Sequence, residues 1–221
     1  MKELYEAADF VGVYYEETAD FFSKYFKNEE EMHAFFVRVF KNDFEDKTPR
    51  RMMNLIVRWV GLAEDIDKIK PGRDSLTIMC VRFCIDAICE ISCKRKEKAV
   101  FLQKHLSDEG RKYIEQSFSV IRIEDGEGKE IIDASSDMHA FENLVFRVRS
   151  ATAHEGDYWT SQVFLHSDQV HMVSAFFEKK NGEVLETVRY ETKIERDRFI
   201  HYFIESAVNF IDDYIKIKAK G

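Results

Sequence analysis

The chain has 221 residues, of which 45% are hydrophobic and 33% charged, with only 2 prolines and 9 glycines. This composition favours one large or two small globular domains and excludes a low-complexity or linker-rich protein. The net charge of −8 excludes a generic basic nucleic-acid coat, although not an enzyme that meets RNA at one small basic pocket.

Compartment and cysteine chemistry follow from the same sequence. No run of roughly 18 apolar residues occurs, so neither a membrane span nor a membrane partner is expected. The first six residues hold two glutamates and no apolar core, unlike a signal peptide. A cytoplasmic location with reduced cysteines is therefore predicted.

The four cysteines, Cys80, Cys84, Cys89 and Cys93, fall in one predicted helix with the two pairs on opposite faces, so they are expected to pack as small hydrophobes. A metal site shared between subunits is the alternative.

The first 70 residues are predicted to form three helices rich in aromatic residues. Apolar spacing predicts a helix over residues 2–26. Asn28, followed by three glutamates, predicts the N-cap of a second helix. Thr48-Pro49 predicts the first turn of a third, which runs through Ala63. We interpret residues 1–70 as an N-terminal helical extension that ends before the break at Pro71-Gly72.

The middle of the chain is predicted to form two helices and a hairpin. Asp74 is expected to cap a long apolar helix running to Cys93, followed by a basic cluster, residues 94–98, that is solvated or contacts RNA backbone. Ser107 predicts the cap of a short helix reaching about Phe118. Residues 120–123 and 131–132 flank an acidic, glycine-containing turn and predict a β-hairpin.

The last third is predicted to combine two helices with further strands. Asp137 predicts the cap of a helix ending near residues 153–156. Strands are expected over 162–166, 170–178 and 184–192, with a hairpin turn at Asn181-Gly182, and a helix over about 195–218. The predicted fold class is mostly α, a helical bundle with a small antiparallel β-hairpin element before the last helix. We expect a single domain, 1–221, whose core is 74–160 plus 195–218, with 161–194 as a β-hairpin insertion.

An arginine and a histidine close the helix that follows Asp137. The guanidinium of Arg149 presents a fixed fork of donors that suits phosphate oxygens, and His154 can move protons near neutral pH. In an unbroken helix these two residues lie about 140° apart, whereas Arg147 and His154 nearly share a face. Three interpretations remain: the helix ends before His154, Arg147 is the partner, or a dimer completes the site.

The run Arg149-Ser150-Ala151-Thr152-Ala153-His154 resembles the Arg-x4-6-His signature of HEPN domains, which Arg147 also satisfies. The resemblance covers roughly residues 74–160, with the final helix completing the bundle. It implies a homodimer that in many members is a metal-independent endoribonuclease of toxin–antitoxin, abortive-infection or other defence systems. By this resemblance His154 is the acid/base and Arg149 the phosphate clamp, and Arg147, Ser150 and Tyr158 are candidate supporting residues.

The implied chemistry requires neither metal nor cofactor, because RNA supplies its own 2′-hydroxyl nucleophile. A histidine can remove that proton and an arginine can stabilise charge on the phosphate, leaving a 2′,3′-cyclic phosphate and a 5′-hydroxyl. The implied partners are RNA, a second copy, and an antitoxin or other protein. The sequence departs from the family at two positions: Ser150 stands where active members often carry Asn, Asp or His, and Gly156 where one subgroup has tyrosine.

The alternative hypothesis is a non-catalytic module that binds a protein or a nucleotide. In that case Arg149 and His154 only cap a helix C-terminus, where cations are favourable. Asp86 and Glu90, four residues apart in the cysteine-bearing helix, are expected to be solvated or ion-paired; the alternatives are that they orient the arginine or bind a metal with ligands from elsewhere.

Overall fold

The computed structural model describes residues 8–41, 43, 45–132, 137–155, 162–165, 172–180 and 183–219. Within these ranges the protein is mostly helical with one small antiparallel sheet, as predicted. In chain order the elements are α1 (Ala8–Ser23), α2 (Glu29–Phe40), α3 (Thr48–Ile69), α4 (Asp74–Ile91), a 3-10 helix (Arg95–Val100), α5 (Phe101–His105), α6 (Asp108–Ser117), β1 (Phe118–Asp125), β2 (Glu130–Ile132), α7 (Met138–Ser150), a π-helical turn (Ala151–Glu155), β3 (Met172–Lys180), β4 (Glu183–Thr192) and α8 (Arg196–Lys218).

Three predicted N-caps are confirmed. Asn28 accepts a hydrogen bond from the Glu31 amide at 2.8 Å, and Ser107 accepts one from the Gly110 amide at 3.1 Å. Asp137 caps α7 by accepting from the amide of Ala140 at 2.6 Å. Each side chain satisfies an amide that the first helical turn leaves without a partner, which is why these short polar residues locate the helix starts so well.

Several predicted boundaries differ from the structure. The first helix ends at Ser23 rather than at residue 26, and α4 ends at Ile91 rather than at Cys93. Asp74 is the first residue of α4, and its carboxylate bonds the distant amides of Val163 and Phe164 instead of capping the helix. The predicted strand over 162–166 is wrong for the described residues 162–165, since only an isolated parallel bridge joins Phe164 to Ile194. The turn at residues 181–182 lies outside the described residues.

The helices pack around one hydrophobic cluster to which all the long helices contribute. α4 lies at its centre, against α3 on one side and α7 on the other, and α8 packs across α3, α2 and α5. No helix in the described ranges is long and apolar enough to cross a membrane. Fully buried members of the cluster include Phe22, Phe36, Ile56, Ile85, Phe141 and Phe203.

The sheet has the strand order β2-β1-β4-β3 and is antiparallel throughout. It joins the predicted early hairpin to the predicted late one, because β1 pairs with β4 from Phe118 opposite Thr192 to Asp125 opposite Glu186. Its inner end is anchored to the bundle by Phe118, whose ring lies 5.4 Å from that of Phe141 on α7. This anchoring holds the sheet beside the helix that carries the candidate site.

Candidate functional site

The candidate site is built on a change of helix type at the end of α7. The α-helix gives way to one π-helical turn, Ala151–Glu155. The hydroxyl of Thr152 donates to the Val148 carbonyl at 2.8 Å. A Thr hydroxyl on the carbonyl four residues earlier competes with the backbone ladder and bends or widens a helix. Isolated π-helical turns are rare and occur frequently at functional sites.

The π-helical turn brings Arg149 and His154 together. A π-helix closes its hydrogen bonds on residue i+5, so residues five apart lie nearly one above the other. Nη1 of Arg149 lies 3.4 Å from Nε2 of His154. The α-helix ends at Ser150, before His154, which is one of the three sequence interpretations, and the π-helical turn that follows places His154 against Arg149 of the same chain. The angle of about 140° between the two residues holds for an unbroken α-helix and therefore does not describe this turn.

The contact requires a particular state of the histidine. A guanidinium has donors and no acceptor, so Nε2 of His154 must offer its lone pair to Arg149. The proton of the neutral ring then resides on Nδ1. The His154 side chain is exposed, while Arg149 is only partly so. An exposed imidazole with an unprotonated nitrogen beside a guanidinium is an arrangement that can accept a proton next to a bound anion.

Arg149 is held from behind by residues of α4. Its Nη2 lies 3.7 Å from Oδ2 of Asp86, and its guanidinium carbon lies 5.5 Å from the centre of the Phe83 ring. Phe83 in turn packs on Trp59, with ring centres 5.3 Å apart. The carboxylate and the aromatic face restrict the arginine to one orientation, in which Nη1 points to His154.

A second arginine, Arg82, contacts the same carboxylate from α4 itself, one helical turn before Asp86. The buried Arg82 lies 3.4 Å from the Asp86 carboxylate through Nη2 and donates from Nη1 to the Lys98 carbonyl at 2.6 Å. Its guanidinium carbon lies 5.8 Å from the centre of the Phe146 ring on α7. The two helices therefore exchange arginine–aromatic contacts on either side of one shared carboxylate, Asp86.

Glu142 is a buried carboxyl beneath this network. It is 4% exposed and accepts a hydrogen bond from the Gln103 amide at 2.9 Å. Burial raises the pKa of Glu142 to about 7, and the positive charge of Arg82 offsets only part of that effect. The network thus contains a group that changes charge near neutral pH.

The remaining predicted site residues are placed as follows. Arg147 and Ser150 are half-buried on α7, whereas the polar contact of His154 is with Arg149. Tyr158 and Gly156 lie outside the described residues. Asp86 faces Arg149, whereas Glu90 pairs with Arg95 and with Lys98.

The basic cluster, residues 94–98, is not a bare positive surface. Lys94 lies 3.7 Å from Glu97, and Lys98 lies 3.2 Å from Glu90.

Three of the four cysteines, Cys80, Cys84 and Cys89, are buried, as expected of small hydrophobes, but Cys93 is exposed beyond the end of α4. Burial raises the pKa of the Cys80 thiol to about 11 and that of Cys89 to about 12, so neither is a ready nucleophile. Among the described residues, no three His, Cys, Asp or Glu side chains gather as a metal-binding group.

Sequence reasoning missed the support behind the site. Arg82, Phe83 and Glu142 lie in apolar helical stretches and looked like ordinary helix surface and core. The one available signal was the spacing of Arg82 and Asp86, which are four residues apart and so share a face. Contacts between α4 and α7 depend on how the two helices pack against each other. The spacing of residues within one helix does not predict that packing.

Comparison with family models, with curated proteins and with solved structures gave no match to this chain.

Proposed function

We propose that this protein is a metal-independent endoribonuclease of the HEPN type, with Arg149 and His154 as its catalytic pair. The observation that carries the proposal is the 3.4 Å contact between Nη1 of Arg149 and Nε2 of the exposed His154. The resemblance of the motif supplies the reaction class, and the contact supports the proposal because it places the two side chains within reach of one phosphate.

In the proposed reaction a scissile phosphate displaces the direct contact and lies between the two side chains. Nε2 of His154 takes the proton of the 2′-hydroxyl, and the 2′ oxygen forms a bond to phosphorus. Arg149 donates to the non-bridging oxygens as negative charge develops on them. The bond from phosphorus to the 5′ oxygen breaks, and that oxygen takes a proton from water, while the hydroxide left behind takes back the proton held by His154. The products are a 2′,3′-cyclic phosphate and a 5′-hydroxyl.

The wider setting is also part of the proposal. The motif resemblance supports a cytoplasmic homodimer that acts in a toxin–antitoxin or other defence system, with an antitoxin or another protein as the partner that restrains it. Neither a cofactor nor a metal takes part in the proposed step. Arg147, Ser150 and Tyr158 remain candidate supporting residues.

The test is an RNA cleavage assay in EDTA with labelled RNAs of varied sequence. Wild type is expected to cut and to leave cyclic phosphate ends. His154→Ala and Arg149→Ala are each expected to lose about 100-fold or more in rate, the usual effect of removing an acid/base or an oxyanion donor. Matched controls are His33→Ala on α2 and Arg51→Ala on α3, which remove an exposed histidine and an exposed arginine from other helices.

One observation favours a second candidate, a binding module without catalysis. Arg149 already has a carboxylate partner and an aromatic partner within its own fold. An arginine held in this way can act purely as a structural tie between α7 and α4. If wild type cuts no RNA, or if the two variants cut as well as wild type while remaining folded, the binding module is the better description.

A further inference from the structure

The exposed face of α7 differs in charge from the protein as a whole. The chain carries 41 acidic and 33 basic residues, so most of its surface repels a polyanion. From Met138 to Glu155, however, the sequence holds only two carboxylates, Glu142, which is buried, and Glu155, the last residue of the π-helical turn. Asp137 caps the start of the helix, and Asp86 on the neighbouring α4 is paired with Arg82 and Arg149.

Side chains with hydrogen-bonding or aromatic groups form one stripe along this face. Its members follow one another at intervals of three or four residues, which places them on one side of a helix. Four of its members, at positions 139, 143, 146 and 154, are exposed, and the one at position 150 is half-buried. The residue at position 154 belongs to the candidate catalytic pair. We call this set the α7 stripe, and it consists of His139, Asn143, Phe146, Ser150 and His154.

Phe146 is the unusual member of the α7 stripe. Phe146 is 51% exposed, although its neighbours along the stripe are polar, and it lies five residues before the π-helical turn that holds His154. The buried guanidinium of Arg82 lies 5.8 Å from the ring centre and supports the ring from the α4 side. About half of the Phe146 surface remains open to solvent. A supported ring with open surface is a platform on which a planar group can stack.

We propose that the α7 stripe binds single-stranded RNA, and that Phe146 is the platform on which one nucleobase stacks. This inference rests on the proposed function, because it supplies the substrate subsite next to the catalytic pair. Arg149 lies three residues beyond Phe146, about 4.5 Å further along the helix axis. A strand with a base on Phe146 therefore carries its phosphates past Arg149 to His154.

The geometry favours single strands over duplexes. The bases of an A-form helix are stacked on one another and do not reach a side chain on a convex helix, whereas the bases of a single strand do. Stacking on an aromatic ring is tolerant of sequence, since every base has a π face. Hydrogen-bonding side chains at Asn143 and Ser150 are placed on either side of the ring to contact sugar or base edges.

The experiment measures binding separately from cleavage. A fluorescent single strand with 2′-O-methyl sugars lacks the nucleophile and is not cut, so its affinity for the intact chain can be measured by anisotropy. Phe146→Ala is expected to weaken binding by about 5- to 100-fold, the range that stacking of one base implies. Phe146→Trp is expected to retain binding and to show quenching of the tryptophan when the strand binds. Val37→Ala, at a 52% exposed apolar position on α2, is the matched control and is expected to bind as wild type.

Several outcomes would each overturn the inference, of which the first three concern binding. They are wild type failing to bind the single strand, Phe146→Ala binding as wild type does, and a duplex of the same sequence binding as tightly as the single strand. A change in oligomeric state caused by Phe146→Ala would assign the ring to contact between copies instead, which also overturns it. If the chain cuts RNA without dependence on Phe146, the inference fails and the proposed function stands. If binding depends on Phe146 and no RNA is cut, the inference of an RNA-binding stripe stands and the proposed ribonuclease function fails.

Discussion

Oδ2 of Asp86 lies 3.7 Å from Nη2 of Arg149, so a carboxylate on α4 faces the arginine of the candidate site at the end of α7. Both side chains are about a quarter exposed, and a pair of this kind adds little to stability. Its effect lies in orientation, because the same carboxylate also contacts Arg82, which is buried and fixed.

Asp86→Asn tests this orienting role. The change keeps the shape of the side chain and removes its charge, which loosens Arg149 and makes the site more positive. We expect kcat for RNA cleavage to fall about 10-fold or more, since small misplacement of a catalytic group is costly, while KM falls or stays constant. Unfolding in urea is expected to shift by less than about 1 kcal/mol.

The matched control is Asp65→Asn, which breaks the exposed ion pair with Lys68 on α3 and is expected to leave both kinetic constants unchanged. Equal kcat values for Asp86→Asn and wild type would remove Asp86 from the mechanism.

Glu142 makes stability depend on pH. Its folded-state pKa of about 7 lies above the usual 4.5, so folding favours the protonated form. The linked stabilisation is present below pH 4.5 and is lost as the pH rises to about 7, a total of about 3 kcal/mol. Glu142→Gln removes this dependence and keeps an acceptor for the Gln103 amide. We expect the variant to unfold at higher urea concentration than wild type at pH 8 and to approach wild type at pH 5.

The control for this comparison is Glu17→Gln, an exposed position on α1. If the difference between Glu142→Gln and wild type is the same at both pH values, burial of the charged carboxylate is not what the mutation relieves.

Cys93 occupies a backbone position that suits glycine. Its φ angle is 60°, and the helix end forms a Schellman motif in which the Lys94 amide bonds the Cys89 carbonyl at 2.8 Å and the Cys93 amide bonds the Glu90 carbonyl at 3.1 Å. A side chain in this left-handed conformation costs about 1–2 kcal/mol. Cys93→Gly is therefore expected to raise the free energy of unfolding by about 1 kcal/mol, measured by urea denaturation. Cys93→Val, with a branched side chain, is expected to lower it, and the opposite order of the two variants would contradict this assignment.

Asp74 ties the start of α4 to the segment at residues 162–165. Its Oδ2 accepts from the Val163 amide at 2.7 Å and from the Phe164 amide at 2.8 Å, in a buried setting. Asp74→Ala leaves both amides without this acceptor, and we expect a loss of about 3 kcal/mol in stability. Hydrogen exchange at Val163 and Phe164 is expected to accelerate more than exchange in α8. A uniform acceleration over the whole chain would indicate that the carboxylate supports the fold globally and not this segment.

The sequence predicted the fold class well because its signals are local. Asn28, Ser107 and Asp137 cap helices through residues three positions away, so spacing alone located them. Asp74 is also a short polar residue at a helix start, but it bonds amides about ninety residues distant, and no local pattern carries that information. The contacts of Arg149 with Asp86 and Phe83 are of the second kind, which is why the motif was visible in the sequence and its support was not.

The π-helical turn at Ala151–Glu155 accommodates one more residue between the arginine and the histidine than an α-helix would allow for the same contact. Four intervening residues bring an arginine and a histidine together only where the backbone closes on i+5, whereas three would do so in an ordinary α-helix. Deleting Ala153, which is exposed within the turn, would allow α-helical closure and leave the pair facing each other at the shorter spacing. Inserting one alanine there would separate them around the helix. The number of residues between the arginine and the histidine thus measures how tightly this part of the backbone is wound.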